Sequence, residues 1–147
     1  MAAVRQASVT WNGDLPSGKG NVSGASSGAF KQLEVSWPRR SEPDANGITS
    51  PEELLAASHA SCYAMALSAG LGRGGTPPQS LNVTATVTFV TEGGPRVASS
   101  ALEVRGRVPG IDEAGFQKAA EAAKDGCPIS QALKGNVELS VKATLEK

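Results

Sequence analysis

Residues 50–68 decide the fold, and they read Ser-Pro-Glu-Glu-Leu-Leu-Ala-Ala-Ser-His-Ala-Ser-Cys-Tyr-Ala-Met-Ala-Leu-Ser. The stretch starts as helices commonly do, with Ser50 as an N-cap and Pro51 at the first helical position. Two glutamates follow, where carboxylates face the positive end of the helix dipole. Four glycines and two prolines from Gly70 onward predict the end of the helix. We therefore expect one long central helix.

One side of this helix carries residues at spacings of three and four. They are Leu55, Ser58, Cys62, Met65, Ala66 and Ala69. Such a stripe predicts a face buried against the rest of the protein or against a partner. Because Cys62 lies in the middle of the stripe, we expect the chemistry of the protein there.

Length and composition set the broad class. With 147 residues the chain is predicted to form a single domain, 1–147, whose core a second copy can complete. The 14 basic and 14 acidic residues balance, which argues against nucleic acid and anionic membranes as partners. No apolar run is typical of a signal peptide or a membrane span, so we expect a cytoplasmic protein. In that reducing compartment its two cysteines are either functional or incidental.

The other elements follow from alternation, turns and caps. They are a three-stranded meander over 3–12 and 18–36, a loop over 41–49, strands at 81–90 and 97–108, helices at 112–124 and 129–133, and a strand at 137–145. The order βββ-α-ββ-α-β indicates an α+β fold, with antiparallel sheets packed on the long helix.

Cys62 has two interpretations from the residues alone, a small core side chain or a reactive thiol. A reactive thiol needs stabilisation of its thiolate, because a free cysteine with a pKa near ~8.5 is mostly protonated at neutral pH. A position in the middle of a helix gains little from the helix dipole. A cation must therefore come from elsewhere in the chain, and Arg39 and Arg40 are the candidates.

Cys127 is placed differently, as the predicted N-cap of a short helix whose first residue is Pro128. The positive helix end there favours a thiolate without any arginine, although a cap without chemistry has the same sequence. Together the cysteines suggest a buried thiol, Cys62, that reacts and a second thiol that resolves the product as a disulfide.

His59 precedes Cys62 by three residues. It could act as a base, as part of a zinc site, or as a packed or interface histidine. A fourth zinc ligand is missing, and we expect no metal. The glycines over 70–75 lack the pattern of a phosphate loop, so we expect no nucleotide.

Four motifs resemble the OsmC/Ohr family, the osmotically inducible protein C and organic hydroperoxide resistance proteins. They are the helix motif 50–68, Gly-Cys-Pro-Ile-Ser-Gln-Ala-Leu at 126–133, Trp-Asn-Gly-Asp-Leu-Pro-Ser-Gly-Lys-Gly at 11–20, and Val-Pro-Gly-Ile-Asp at 108–112. The histidine of the helix motif and the Trp-x-Gly-x-x-x-x-Gly-Lys-Gly opening are more similar to the OsmC branch.

The resemblance implies a thiol-dependent peroxidase that forms intertwined homodimers with active sites at the subunit interface. Such enzymes prefer organic hydroperoxides over hydrogen peroxide, use no cofactor or metal, and are restored by an external dithiol such as a lipoyl-linked one. It also implies that Cys62 is the peroxidatic cysteine, Cys127 the resolving cysteine and Glu52 the active-site glutamate. Arg40, three residues after Trp37, corresponds to the family's arginine.

Helix geometry constrains this site. Glu52 and Cys62 are ten residues apart, about 15 Å along a continuous helix. If both serve one site, either the glutamate comes from the partner subunit or the helix is broken between them. The apolar Leu54, Leu55, Tyr63 and Met65 are then expected to help shape a pocket suited to an alkyl hydroperoxide tail.

Two rivals to the peroxidase hypothesis remain. One is a dimer that binds apolar ligands and has incidental cysteines. The other is a protein thiol–disulfide exchanger, although the chain has no C-x-x-C motif.

Overall fold

A three-stranded antiparallel meander forms most of the first 54 residues. In the computed structural model, which describes residues 1–147, the chain packs as two compact units, 1–54 and 55–147. The strands of the first unit are β1 (Ser8–Asn12), β2 (Lys19–Ser23) and β3 (Leu33–Val35), and β2 lies between the other two. The predicted meander is thus present, with shorter strands.

A short helix, α1 (Trp37–Ser41), follows β3. Its N-cap is Ser36, whose hydroxyl accepts a hydrogen bond from the backbone N–H of Arg39 at 3.4 Å. The sequence predicted only the end of the meander here. Five residues are too few to show helical periodicity, and the proline resembles a chain break although it lies in the first helical turn.

The long helix is α2 (Pro51–Arg73), which begins at the predicted proline and runs three residues beyond the predicted end. By length and composition alone it is the one helix able to cross a bilayer, with a mean hydropathy of 1.3 over its most apolar window. Core helices of soluble proteins share these properties. Within the second unit, Tyr63, Leu67 and Leu71 of this helix are almost completely buried.

The second unit contains the remaining elements. They are β4 (Ser80–Val90), β5 (Arg96–Arg107), α3 (Glu113–Gly126), α4 (Pro128–Leu133) and β6 (Glu138–Glu146). The sheet order is β4-β5-β6, with β4 and β5 antiparallel. The predicted α+β class is confirmed, and the order of the strands and helices matches the prediction except for the additional α1. The pairing of β5 with β6 departs from the predicted antiparallel arrangement. β6 runs parallel to β5, because α3 and α4 form the crossover that a parallel connection requires.

The buried face of α2 differs from the predicted one. The buried residues at intervals of four are His59, Tyr63, Leu67 and Leu71, whereas Met65 of the predicted stripe is 70% exposed. Cys62 is only partly buried. The larger side chains remove more apolar area from water and therefore occupy the core. The prediction that the stripe is buried within the chain is wrong, and burial by a partner stays a prediction, as does the single domain over 1–147.

The core of the second unit requires a glycine on β5. A Cβ added at Gly106 would lie 2.5 Å from Cζ of Phe116, which is fully buried on α3. We expect Gly106→Ala to lower the free energy of unfolding by about 1–3 kcal/mol, because the closely packed ring must shift. Urea denaturation measures this.

The matched control is Gly72→Ala on α2, where a Cβ meets nothing within 4 Å. Alanine should raise stability there by about 0.5–1 kcal/mol through its helix propensity. Equal effects of the two substitutions would contradict this packing.

Candidate active site

Cys127 joins the last two helices. Its N–H donates to the carbonyl oxygen of Ala123 at 2.9 Å and closes α3, while its own carbonyl accepts from the N–H of Gln131 at 3.0 Å and starts α4. Pro128 follows at the first position of α4, and the side chain of Cys127 is completely buried. The predicted cap at Cys127 is confirmed.

The structure brings the two cysteines together as free thiols. Burial raises the pKa of the Cys127 thiol, but the Ser130 N–H, the Cys62 thiol, the Ser130 hydroxyl and the Ile129 N–H outweigh burial, and the net pKa is lowered. Burial also raises the pKa of Cys62, against a smaller opposite effect of the Ile129 N–H, and its interaction with Cys127 adds to the rise. Within this unit the pair therefore ionises first at Cys127 and keeps its proton on Cys62.

The lowered pKa of Cys127 agrees with the prediction that the positive end of α4 favours a thiolate there. The N–H groups of Ser130 and Ile129 at the start of α4 lower the pKa of Cys127, although its side chain makes no capping hydrogen bond, whereas only that of Ile129 lowers the pKa of Cys62. A cation beside Cys62 remains necessary to make it the more acidic thiol.

Arg40 and Glu52 form a bidentate ion pair within the first unit. Arg40 Nε lies 3.1 Å from each carboxylate oxygen of Glu52, and Arg40 Nη2 lies 2.7 Å from Oε1. The Glu52 side chain is 9% exposed, and the guanidinium also stacks 5.9 Å from the ring centre of Trp37. The glutamate therefore fixes the direction of the guanidinium.

Arg39 makes different contacts. Its Nη1 lies 3.3 Å from Oε2 of Glu42, which is largely exposed, and 3.2 Å from the carbonyl oxygen of Asp44. Of the two candidate arginines, Arg40 is the one paired with the predicted glutamate.

An apolar cavity of about 340 Å³ lies beside Arg40. Its lining includes Val9, Trp11, Leu15, Val22, Trp37 and Leu54. Leu54 was among the residues predicted to shape an apolar pocket. The guanidinium of Arg40 is the one ionised group among the lining residues, which are otherwise mostly apolar.

A second groove, about 520 Å³, runs past Cys62 between α2 and α3. Met65, Ala66, Ala69, Ala119 and Pro128 are among its lining residues. Tyr63, predicted to line a pocket, instead lies in the core and donates its hydroxyl to the carbonyl oxygen of Ala120 at 3.0 Å. That prediction is wrong because a tyrosine can bury its ring when its hydroxyl finds a partner.

The continuity of α2 rules out one of the two predicted alternatives, a break in the helix between Glu52 and Cys62. Since one helix runs from Pro51 to Arg73, the break predicted between Glu52 and Cys62 does not exist. Ten residues of helix separate the two side chains by about 15 Å along the axis. The helix itself therefore does not bring Glu52 next to Cys62, and a glutamate from the partner subunit stays a prediction.

His59 is a packed histidine with two hydroxyl partners. Its Nδ1 lies 2.7 Å from Ser100 Oγ on β5, and its Nε2 lies 2.8 Å from Ser130 Oγ on α4. Burial lowers the pKa of His59, so the imidazole is neutral at physiological pH. Sequence reasoning did not single out either serine, because partners 41 and 71 residues away leave no local signal.

Comparison with known proteins places these features in a family. The model of the OsmC-like protein family matches residues 44–142. The peroxiredoxin OsmC of Escherichia coli strain K12 is 39% identical over 140 residues, which cover 95% of this chain and 96% of that protein. The chain belongs to the OsmC family.

Ohr proteins are more distant relatives of this OsmC-family chain. The organic hydroperoxide resistance protein of Xanthomonas axonopodis pv. citri is 29% identical over 112 residues, which cover 74% of this chain and 75% of that protein. Among solved structures, an organic hydroperoxide resistance protein from Elizabethkingia anophelis superposes with a TM-score of 0.76 at 24% identity, covering 99% of this chain and 100% of that one. The resemblance found in the sequence motifs is thereby confirmed, and the OsmC fold is shared with the Ohr proteins.

Proposed function

We propose that this OsmC-family protein is a thiol-dependent peroxidase that reduces organic hydroperoxides to alcohols, and hydrogen peroxide more slowly. The observation that carries the proposal is the pair of interacting free thiols, Cys62 and Cys127, beside an apolar groove. The relatives named as a peroxiredoxin and as organic hydroperoxide resistance proteins support it.

In the first step the Cys62 thiolate attacks the terminal oxygen of the hydroperoxide. The O–O bond breaks, the alkoxide leaves and takes a proton to become the alcohol, and Cys62 becomes a sulfenic acid. Cys62 is suited to this role because it is partly exposed on the groove, whereas Cys127 is fully buried.

In the second step the Cys127 thiolate attacks the sulfenic sulfur. The S–S bond forms as the S–O bond breaks, and hydroxide leaves as water with the proton lost by Cys127. An external dithiol, such as a lipoyl-linked one, then reduces the disulfide and is itself oxidised. No cofactor or metal takes part, and the reduced starting state suits a cytoplasmic location.

Arg40 supplies the cation that Cys62 lacks. Its direction is fixed by Glu52, and the adjoining apolar cavity suits an alkyl tail. Because α2 keeps Glu52 and Cys62 of one chain apart, Arg40 and Glu52 serve Cys62 of the partner subunit. The protein is therefore an intertwined homodimer, and the exposed Met65 and small residues around Cys62 form part of its interface.

Steady-state kinetics with cumene hydroperoxide and hydrogen peroxide, using dithiothreitol, test the proposal. We expect kcat/KM to favour the organic peroxide by at least about tenfold, since burying one phenyl group contributes more than 1.4 kcal/mol. Equal values, or no turnover, would contradict it.

A non-enzymatic dimer that binds apolar ligands is the second candidate. The cavity beside Arg40, with its two tryptophans, favours it. This alternative requires that Cys62→Ser bind a fatty acid as tightly as wild type while wild type shows no peroxidase turnover.

Cys127→Ser is expected to react once and then be over-oxidised. Without the second thiol the Cys62 sulfenic acid persists, and further peroxide converts it to sulfinic acid. Mass spectrometry after one and ten equivalents of cumene hydroperoxide measures this, with wild type as the control. Multiple turnovers of Cys127→Ser without sulfinic acid would show that Cys127 does not resolve the intermediate.

A further inference from the structure

Trp11 and two glycines belong to the Trp-x-Gly-x-x-x-x-Gly-Lys-Gly motif, which the reaction above does not use. Trp11 on β1 lies directly opposite Gly20 on β2. The benzene part of its indole covers Gly18 and Gly20, because a Cβ added to either glycine would lie 2.9 Å from a carbon of this ring. The indole Nε1–H donates to the carbonyl oxygen of Gly13 at 2.9 Å. The ring is therefore held against the backbone of β2.

The indole separates the two glycines from the apolar cavity beside Arg40. Trp11 lines that cavity, whereas Gly18 and Gly20 are buried and are not among its lining residues. All lining residues lie within the first unit. A side chain on either glycine would occupy the space in which the ring now lies. The missing Cβ atoms therefore allow the ring to lie low and the cavity to be deep.

We propose that Trp11 is a specificity-determining residue whose ring, seated on Gly18 and Gly20, limits the length of the apolar tail that the cavity takes. The inference rests on the proposed function, which assigns the tail of the hydroperoxide to this cavity. A straight alkyl chain with a neutral head is the ligand class that fits. Arg40 is the one ionised lining residue, and its charge is already paired with Glu52 at 2.7 Å.

The volume of the cavity gives the scale of this limit. Its 340 Å³ is the space of roughly eleven water molecules at about 30 Å³ each. Because a methylene group is similar in size to a water molecule, a tail of about eight to ten carbon atoms fills the cavity.

Binding of straight-chain 1-alkanols to the reduced wild-type protein is the first test. These alcohols have no O–O bond, so the thiols do not reduce them. The chain has two tryptophans, Trp11 and Trp37, and both line the cavity, so tryptophan fluorescence reports binding there. We expect Kd to fall about fourfold per added methylene and to level off beyond about eight to ten carbon atoms. Unchanged fluorescence, or a Kd that falls without a limit, would overturn the proposal.

Two variants then move the limit in opposite directions. Trp11→Phe should shift it to longer alkanols by about two carbon atoms, because the smaller ring leaves space above the glycines. Trp37 remains as the fluorescent reporter. Gly20→Ala should shift the limit to shorter alkanols by about two carbon atoms, because the new methyl group lifts the indole into the cavity.

The matched control is Gly72→Ala on α2, which lies outside the cavity lining and should leave the limit unchanged. A motif that serves only the packing of the meander would change the melting temperature of Trp11→Phe but not its limit, and that result overturns the proposal. If Gly20→Ala does not fold, Trp11→Phe still decides.

A second copy of this chain is the rival occupant of the cavity. It would prevent alkanol binding to the wild-type protein, which also overturns the proposal. None of these measurements uses peroxide. Alkanol binding with the expected limit but no peroxide turnover in wild type would therefore contradict the peroxidase proposal alone.

Discussion

Cys62→Ser is expected to have no peroxidase activity above the reaction of dithiothreitol alone. A serine hydroxyl does not ionise near neutral pH, and loss of the nucleophile removes both chemical steps, so kcat/KM should fall by on the order of a thousandfold or more. Consumption of cumene hydroperoxide measures this. The fold should survive because the side chain is only partly buried and the exchange is nearly isosteric.

Two controls accompany this variant. Cys127→Ser should still consume about one equivalent of peroxide in the first turnover, which separates the roles of the two cysteines. Thermal unfolding of Cys62→Ser should match wild type within a few degrees. Peroxide turnover that does not depend on Cys62 would contradict its role as the nucleophile and favour the ligand-binding alternative.

Arg40→Lys is expected to lower kcat/KM for cumene hydroperoxide by about 10- to 100-fold. Lysine keeps the charge but loses the bidentate contact with Glu52, so the cation is no longer held in a fixed direction. Small misplacements of a positioning group can cost about 100-fold in rate. The single-turnover rate of Cys62 oxidation measures the effect without the reductant.

Arg39→Lys is the matched control, one residue away with the same change. Arg39 bonds to Glu42 and to a backbone carbonyl at the exposed side of α1, so its rate should remain within about twofold of wild type. Equal losses in the two variants would show that general positive charge, rather than the Arg40–Glu52 pair, supports the reaction.

The sequence was sufficient where the determinants are local. Ser50 and Pro51 marked the start of α2, and Cys127 with Pro128 marked the start of α4, because caps and first-turn prolines act within one helical turn. Alternation also placed β4, β5 and β6 to within one residue at each end.

Packing between residues that are distant in the sequence could not be predicted in the same way. The small residues around Cys62 have the spacing of a core face. The core instead buries the larger Tyr63, Leu67 and Leu71, because they remove more apolar area from water. Likewise, nothing local showed that His59 meets Ser100 and Ser130. Three elements must assemble before those hydrogen bonds exist.

The central claim is that Cys62 and Cys127 reduce a hydroperoxide together. Its most direct test adds one equivalent of cumene hydroperoxide to the reduced protein and measures the alcohol by chromatography and the protein by intact and peptide mass spectrometry. We predict one equivalent of alcohol and a disulfide that joins Cys62 to Cys127. Protein that keeps both thiols while the peroxide persists would contradict the account.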